Sequence, residues 1–155
     1  MSEQPLLLLT LLVALVIVLT ALTLVTGLVM GYRPHGGAPG VLAAIVLAIF
    51  TGWAMAWIFT WIGTLASSAQ SVQGMSMMIL FPLTFLSNAF VPVGTLPSGL
   101  ATFVKINPVS HLVSATRDLA NHGAITGEVG LTLLAGSVVI AVFAPLAVRR
   151  YKRHL

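Results

Sequence analysis

The sequence predicts an all-α membrane protein with about four transmembrane helices and an external amphipathic or re-entrant helical segment between the last two. Of its 155 residues, 58% are hydrophobic and only 6% are charged, whereas a soluble domain carries about 25% charged residues. The mean hydropathy is +1.06, and several apolar runs reach the roughly 20 residues that span a bilayer core of about 30 Å. We therefore expect a single membrane domain over residues 1–155.

Charge and cysteine content narrow the possible functions. The chain has no cysteine, which excludes disulfide bonds, thiolate metal sites and cysteine nucleophiles. Its net charge of +4 is concentrated in a C-terminal cluster of Arg149, Arg150, Lys152 and Arg153. Basic residues directly after a span indicate the cytoplasmic side of a membrane. We therefore interpret the tail, residues 149–155, as a topology signal and expect no nucleic-acid partner.

The first two predicted spans cover about residues 6–30 and 41–65, joined by a turn-rich connection over residues 31–40. The first is too long for a signal-peptide core and has no basic segment before it. The second has small residues at every fourth position from Ala44 to Thr64, which predicts a groove for close packing of another helix. The same spacing recurs in three tryptophans, Trp53, Trp57 and Trp61.

The third predicted span, about residues 72–93, is interrupted by Pro82, which should bend the helix. Ser87 and Asn88 could form hydrogen bonds across the helix bundle. Asn88 could also line a substrate path together with Trp53 and Trp57. For the tryptophans we favour the alternative, a stripe that faces lipid or packs within the bundle.

The external segment, residues 94–128, contains two predicted helix starts. Pro97 can begin a short helix, and Asn107 followed by Pro108 is a strong start, because asparagine caps helices and proline suits the first helical position. The helix after Pro108 has one polar face, made of Ser110, His111, Ser114, Arg117, Asp118 and Asn121. At about a dozen residues it is too short to span, so we expect it to lie in the membrane interface with its apolar side down.

The last predicted span covers residues 129–148 and leads into the basic tail. Four spans with a cytoplasmic tail imply that both termini are cytoplasmic and that residues 94–128 are external. The predicted spans contain no Asp, Glu, Lys, Arg or His, the groups that ion-coupled pumps place in the membrane. The chain also lacks a Walker A sequence, and His111 and Asp118 are more simply solvated than catalytic. We therefore expect no enzyme activity, cofactor or metal in the chain itself.

The stretch that starts at Phe81 resembles the end of the fifth span and the external segment of type-two ABC exporter permeases, and the daunorubicin-resistance-like group most. The shared order is an aromatic, proline-containing span end, then LP, a short helix, NP and a second helix with an arginine. In this sequence it is carried by Phe81, Pro82, Phe85, Leu86, Ser87, Phe90, Val91, Pro92, Leu96, Pro97, Asn107, Pro108 and Arg117. The GYRPHGG turn and the terminal FAPLAVRRYKR are also similar to this group.

The resemblance implies a permease subunit in the bacterial cell membrane that exports drugs, lipids or other amphipathic compounds. It further implies a dimer with a second permease copy or homologue, and separate ATP-binding subunits that hold ATP and Mg. The predicted spans resemble the third to the sixth of the six that family members have. The alternative is an inactive permease fragment, or a small membrane scaffold that transports nothing. A neighbouring reading frame that encodes an ATPase would favour the exporter.

Overall fold

The computed structural model describes residues 15, 18–19, 21–90 and 97–152. It divides into two units, Met1–Pro34 and His35–Leu155. Every element of secondary structure in the described residues is a helix, which agrees with the all-α prediction. Most of the predicted first span lies outside the described residues.

The first unit contains helix α1, described over residues 21–29. It ends in a turn at Gly31, whose φ of 94° lies in the left-handed region that glycine adopts without strain. The guanidinium Nη1 of Arg33 donates to the carbonyl oxygen of Leu28 at 3.1 Å. A basic side chain thus satisfies one of the last carbonyls of the helix, which have no partner within it.

The second unit begins with helix α2, Gly37–Leu65, which starts earlier than the predicted residue 41. Pro39 lies in its first turn, where the missing N–H costs nothing because the first N–H groups of a helix have no partner within it. The connection predicted over residues 31–40 is therefore shorter than expected, and Gly40 is a buried helical residue.

Helix α3, Ala69–Phe85, is shifted toward the N-terminus relative to the predicted span at 72–93. Ser68 caps it, because the Ser68 hydroxyl oxygen accepts from the backbone N–H of Ser71 at 3.2 Å. The polar stretch from Ser68 to Gly74 thus forms the cap and the first turns of the helix. Pro82 lies in the last turn, and the chain then continues in turns through Phe90.

Helices α4, Ser98–Ile106, and α5, Pro108–His122, start where the sequence predicts. Pro97 is the N-cap of α4, and Asn107 is the N-cap of α5 with its Oδ1 accepting from the Val109 N–H at 2.9 Å. Helix α5 stops at Gly123, whose φ of 63° is again left-handed.

Helix α6, Gly127–Tyr151, extends beyond the predicted span of residues 129–148 at both ends. Arg149 and Arg150 belong to its last turn, where positive charge lies near the negative end of the helix dipole. Lys152 is its C-cap, and Arg153 lies outside the described residues.

Helices α2 and α6 run side by side in the same direction, and α5 packs against the N-terminal parts of both. Toward the other end of the pair, the Trp61 and Phe143 rings meet edge to face with centroids 5.5 Å apart. The buried core under α5 is made of Leu47, Ala115 and Leu119, with Ala44, Leu112 and Val129 packed against it. Helix α5 therefore covers one end of the bundle.

Two glycines allow α5 to touch the start of α2 directly. A Cβ atom added at Gly36 or Gly40 would overlap the carbonyl oxygen of Leu119. The N–H of Gly36 also donates to the carbonyl oxygen of Ala120 at 3.0 Å. The two backbones are thus in contact, and no residue with a side chain fits between them.

The row of small residues on α2 that predicts a groove packs against no described helix for most of its length. Its middle positions, Ala48, Gly52, Ala56 and Thr60, are exposed. The buried positions along the same part of the helix are Leu47, Thr51 and Ala54. A spacing of four residues exceeds the 3.6-residue turn, so such a row rotates by about 40° at each step and winds around the helix.

Helices α2 and α6 are both long and apolar enough to cross a membrane. Their 29 and 25 residues correspond to about 43 and 37 Å, against a bilayer core of about 30 Å. Only 17% of the most apolar stretch of each helix is buried within the chain. Their apolar surfaces therefore point outward, as in an integral membrane protein and unlike the core helix of a soluble one.

Candidate functional site

A group of hydrogen-bonded polar side chains joins the end of α3 to α5. It consists of Ser87 and Asn88 in the turn after α3, Asn107 between α4 and α5, and Ser110 and Ser114 on α5; we call it the polar junction. Ser87, Asn107 and Ser110 are buried, at 0%, 1% and 5% exposure. Buried polar groups are stabilising only when they are hydrogen-bonded, so the partners of each decide what the junction does.

Asn107 bonds to both helices that it separates. Its Oδ1 accepts from the Val109 N–H and so caps α5. Its Nδ2 donates to the carbonyl oxygens of Leu83 and Leu86 at 2.8 and 2.9 Å, which are among the last carbonyls of α3 and have no partner within that helix. Because a backbone donor faces one end of the amide and two carbonyls face the other, the orientation of this amide is determined by its partners.

Asn88 makes the second connection to α5. Its backbone N–H donates to the Ser110 hydroxyl at 3.2 Å, and its Nδ2 donates to the Ser114 hydroxyl at 2.7 Å. Its Oδ1 is buried and has no partner among the described residues. Ser87 stabilises the turn itself, since its hydroxyl donates to the Thr84 carbonyl at 2.6 Å. Both side chains were predicted to bond across the bundle. Asn88 does so, whereas Ser87 bonds within its own turn.

A cavity of about 150 Å³ opens beside the polar junction. It is lined by Asn88, Val104, Lys105, Ser110, His111, Ser114 and Glu128. Across it, His111 Nδ1 and Glu128 Oε2 lie 2.6 Å apart, which ties α5 to the start of α6. The solvated polar face that we predicted for α5 is therefore wrong at Ser110 and His111, which turn toward other helices, and holds for Arg117, which is exposed.

Sequence reasoning missed the role of Glu128 because it lies 17 residues from His111 and no motif links the two. Asp118 was likewise interpreted as solvated, but its Oδ2 accepts from the Thr126 hydroxyl at 2.9 Å. The available signal was the scarcity of charge, since Glu128 is one of only three acidic residues in the chain. No group of three or more His, Cys, Asp or Glu side chains within the described residues is arranged to hold a metal ion.

The family-motif phenylalanines form a row on the surface near the end of α3. The rings of Phe81 and Phe85 have centroids 4.5 Å apart, and Phe85 stacks on Phe90 at 5.4 Å. All three are exposed, at 62%, 48% and 62%. Of the remaining motif residues, Val91, Pro92 and Leu96 lie outside the described residues.

The tryptophans of α2 do not form one wall. Trp53 is exposed, Trp61 packs on Phe143 of α6, and Trp57 is half-buried between these positions with an indole N–H that has no partner in the described part of the chain. The cavity beside the polar junction is lined by Asn88 but by neither Trp53 nor Trp57. A shared substrate path through these three residues therefore stays a prediction.

Comparison with known proteins relates this chain to ABC transporters. Residues 6–120 match the family described as ABC-2 type transporter. The daunorubicin resistance ABC transporter permease protein DrrB1 of Streptomyces coeruleorubidus is 40% identical over 136 residues, which cover 88% of this chain and 48% of that protein. A probable doxorubicin resistance ABC transporter permease protein, DrrC of Mycobacterium tuberculosis, is 27% identical over 141 residues, with 89% and 51% covered.

The chain spans about half the length of these curated relatives. No solved structure matches it. The family match nevertheless covers most of the chain and includes α2, α3, α4 and nearly all of α5, and with them every residue of the polar junction. The resemblance inferred from the sequence is confirmed: this chain belongs to the ABC-2 type transporter family.

Proposed function

We propose that this chain is a transmembrane permease subunit, or a part of one, of an ATP-driven exporter that moves drugs, lipids or other amphipathic compounds out of a bacterial cell. The observation that carries the proposal is the family match together with 40% identity to a daunorubicin resistance permease. The outward-facing apolar surfaces of α2 and α6 support it, because helices that face lipid suit a pathway for amphipathic molecules.

The distribution of charge supports an orientation in the membrane. Lys105, Arg117 and Glu128 lie at the end of the bundle that α5 covers, while Arg149 and Arg150 lie at the opposite end of α6. Under the positive-inside rule the concentrated basic end is cytoplasmic. We propose that the polar junction and its cavity lie on the external side and that both chain termini are cytoplasmic.

The energy for export would come from a partner. We propose that a separate ATP-binding subunit, with ATP and Mg, drives the transition between inward- and outward-facing states, and that two permease copies or homologues form the pathway. The chain itself would hydrolyse nothing and hold no cofactor. Its contribution would be to bind the substrate in the membrane and to open and close the external end.

Co-purification tests this proposal directly. The chain, tagged after Leu155, is extracted from its native membrane in mild detergent, beside an unrelated membrane protein with the same tag and expression level. We expect an ATP-binding subunit to be recovered with this chain and not with the control protein. We also expect inverted vesicles that contain the chain to take up an amphipathic dye when ATP is added. Recovery of the chain without any ATP-binding protein, and vesicles that take up no dye, would refute the exporter and favour a non-transporting scaffold.

A further inference from the structure

Helix α3 contacts α2, to which residues 66–68 join it, and it meets α5 only weakly outside the polar junction at its C-terminal end. No residue of α3 is buried, so the apolar packing that normally fixes a helix is slight along its length. In contrast, α5 is anchored to α2 through buried Leu119 and to α6 through the bond between His111 and Glu128. The position of the C-terminal end of α3 relative to α5 therefore depends on the hydrogen bonds of Asn107 and Asn88.

Asn107 dominates that connection for a geometric reason. It is buried, at 1% exposure, and its Nδ2 reaches two carbonyls of α3, at Leu83 and Leu86, while its Oδ1 holds the first turn of α5. One planar amide thus fixes the end of one helix and the start of another at the same time. Asn88 adds two bonds, but both acceptors are serine hydroxyls, which can rotate.

Pro82 determines where α3 can bend. Proline has no N–H to donate, so the helix loses one internal hydrogen bond one turn before the carbonyls that Asn107 binds. A bend at Pro82 would therefore move the segment that carries Leu83 and Leu86. Because Asn107 holds both of these carbonyls, the start of α5 must follow that segment.

We propose that Asn107 is the positioning residue through which the outer end of α3 and helix α5 move as one body when the external end of the permease opens and closes. The role of Asn107 in opening and closing rests on the proposed export function. The connection that it makes between α3 and α5 does not depend on that function. We expect the loss of the two Nδ2 donors to free α3 from α5 while α5 stays attached to α2 and α6.

The test compares two interhelical distances in the full chain in lipid nanodiscs. Because the chain has no cysteine, pairs of introduced cysteines can carry spin labels without further changes. Met78→Cys with Arg117→Cys reports the α3–α5 distance, and Ile49→Cys with Leu134→Cys reports the α2–α6 distance; all four positions are exposed. Asn107→Ser is the key variant, since serine can still cap α5, whereas its single, shorter hydroxyl replaces the Nδ2 group that donates to both α3 carbonyls.

We expect Asn107→Ser to broaden and shift the α3–α5 distance distribution and to leave the α2–α6 distribution unchanged. Equal broadening of both pairs, or of neither, would overturn the positioning role. If Asn107→Ser fails to fold, Asn107→Asp, which keeps the oxygen that caps α5 and removes both Nδ2 donors, must broaden the α3–α5 pair alone; an unchanged distribution would also overturn the proposal.

A transport measurement separates this inference from the export function on which its purpose rests. In the transporter assembled with its ATP-binding subunit, Asn107→Ser should lower the amount of dye moved per ATP hydrolysed, whereas a merely destabilised protein would lose both activities in proportion. Proportional loss would therefore overturn the coupling role. Distances that respond to Asn107→Ser in a chain that recruits no ATP-binding subunit would instead refute the exporter and leave the link between α3 and α5 intact.

Discussion

The direct backbone contact between α2 and α5 leads to a specific prediction for Gly40→Ala. A methyl group at this position would overlap the carbonyl oxygen of Leu119. That oxygen belongs to the backbone of α5 and also accepts from the N–H of Gly123 at 3.0 Å, so it cannot move aside as a flexible side chain would. The two helices must therefore separate, which disturbs the core around Leu47 and Leu119.

The size of the effect follows from two opposing terms. Forcing extra atoms into a packed interior costs about 1–3 kcal/mol, and a backbone obstacle places this site at the upper end. Alanine is better than glycine within a helix by about 1 kcal/mol, which offsets part of the loss. Gly52→Ala is the matched control, because Gly52 lies in the same helix with nothing within 4 Å of an added Cβ. Gly52→Ala therefore gains the helix propensity of alanine without any overlap with α5.

We expect Gly40→Ala to lower the free energy of unfolding by about 2 kcal/mol and Gly52→Ala to leave it unchanged or to raise it by up to about 1 kcal/mol. The difference between the two variants, about 3 kcal/mol, is free of the propensity term. It can be measured from unfolding in mixed micelles of mild detergent and sodium dodecyl sulfate, followed by circular dichroism. Identical unfolding midpoints for the two variants would show that α5 does not lie against Gly40.

Three further substitutions test other contacts. Gly136→Ala would place a methyl group 2.5 Å from the Phe50 ring, which can turn away, so we expect a loss of only about 1 kcal/mol in the same unfolding assay; a larger loss than for Gly40→Ala would contradict this ranking. Glu128→Ala removes the 2.6 Å bond to His111, and we expect a loss of about 1–2 kcal/mol that is absent when His111 is already alanine. Ser68→Ala removes the α3 cap at a cost of about 1 kcal/mol, which faster amide exchange at the start of α3, and at no other helix start, would reveal.

Much of the fold could be predicted from local sequence because local chemistry decides it. The apolar composition determined the membrane class, and the pair Asn107–Pro108 determined the start of α5, since a capping side chain and a proline without an N–H suit those two positions only. Helix ends were less predictable. Helix α3 starts after Ser68, before the predicted residue 72, and its end depends on Asn107, which is distant in sequence.

The row of small residues on α2 shows why packing surfaces are harder to predict than helix starts. Spacing along a helix shows which residues share a face, but a neighbour determines which face is buried. Ala48 and Gly52 look like a packing surface in the sequence, yet the structure places α5 against Gly36 and Gly40, in a stretch that we interpreted as a loop. The contact surface of a helix is a property of the whole bundle.

The sequence alone determined that this chain is an all-helical membrane protein with the motif order of its family, because composition, capping residues and prolines act on the residues next to them. Only the tertiary structure decided that the amide of Asn107 bonds to the end of α3, that His111 meets Glu128, and that two glycines carry the contact between α2 and α5. These interactions join residues 17 or more positions apart. Hydrogen bonds and close packing require distances of a few ångströms, and the chain achieves these only when all the helices are in place.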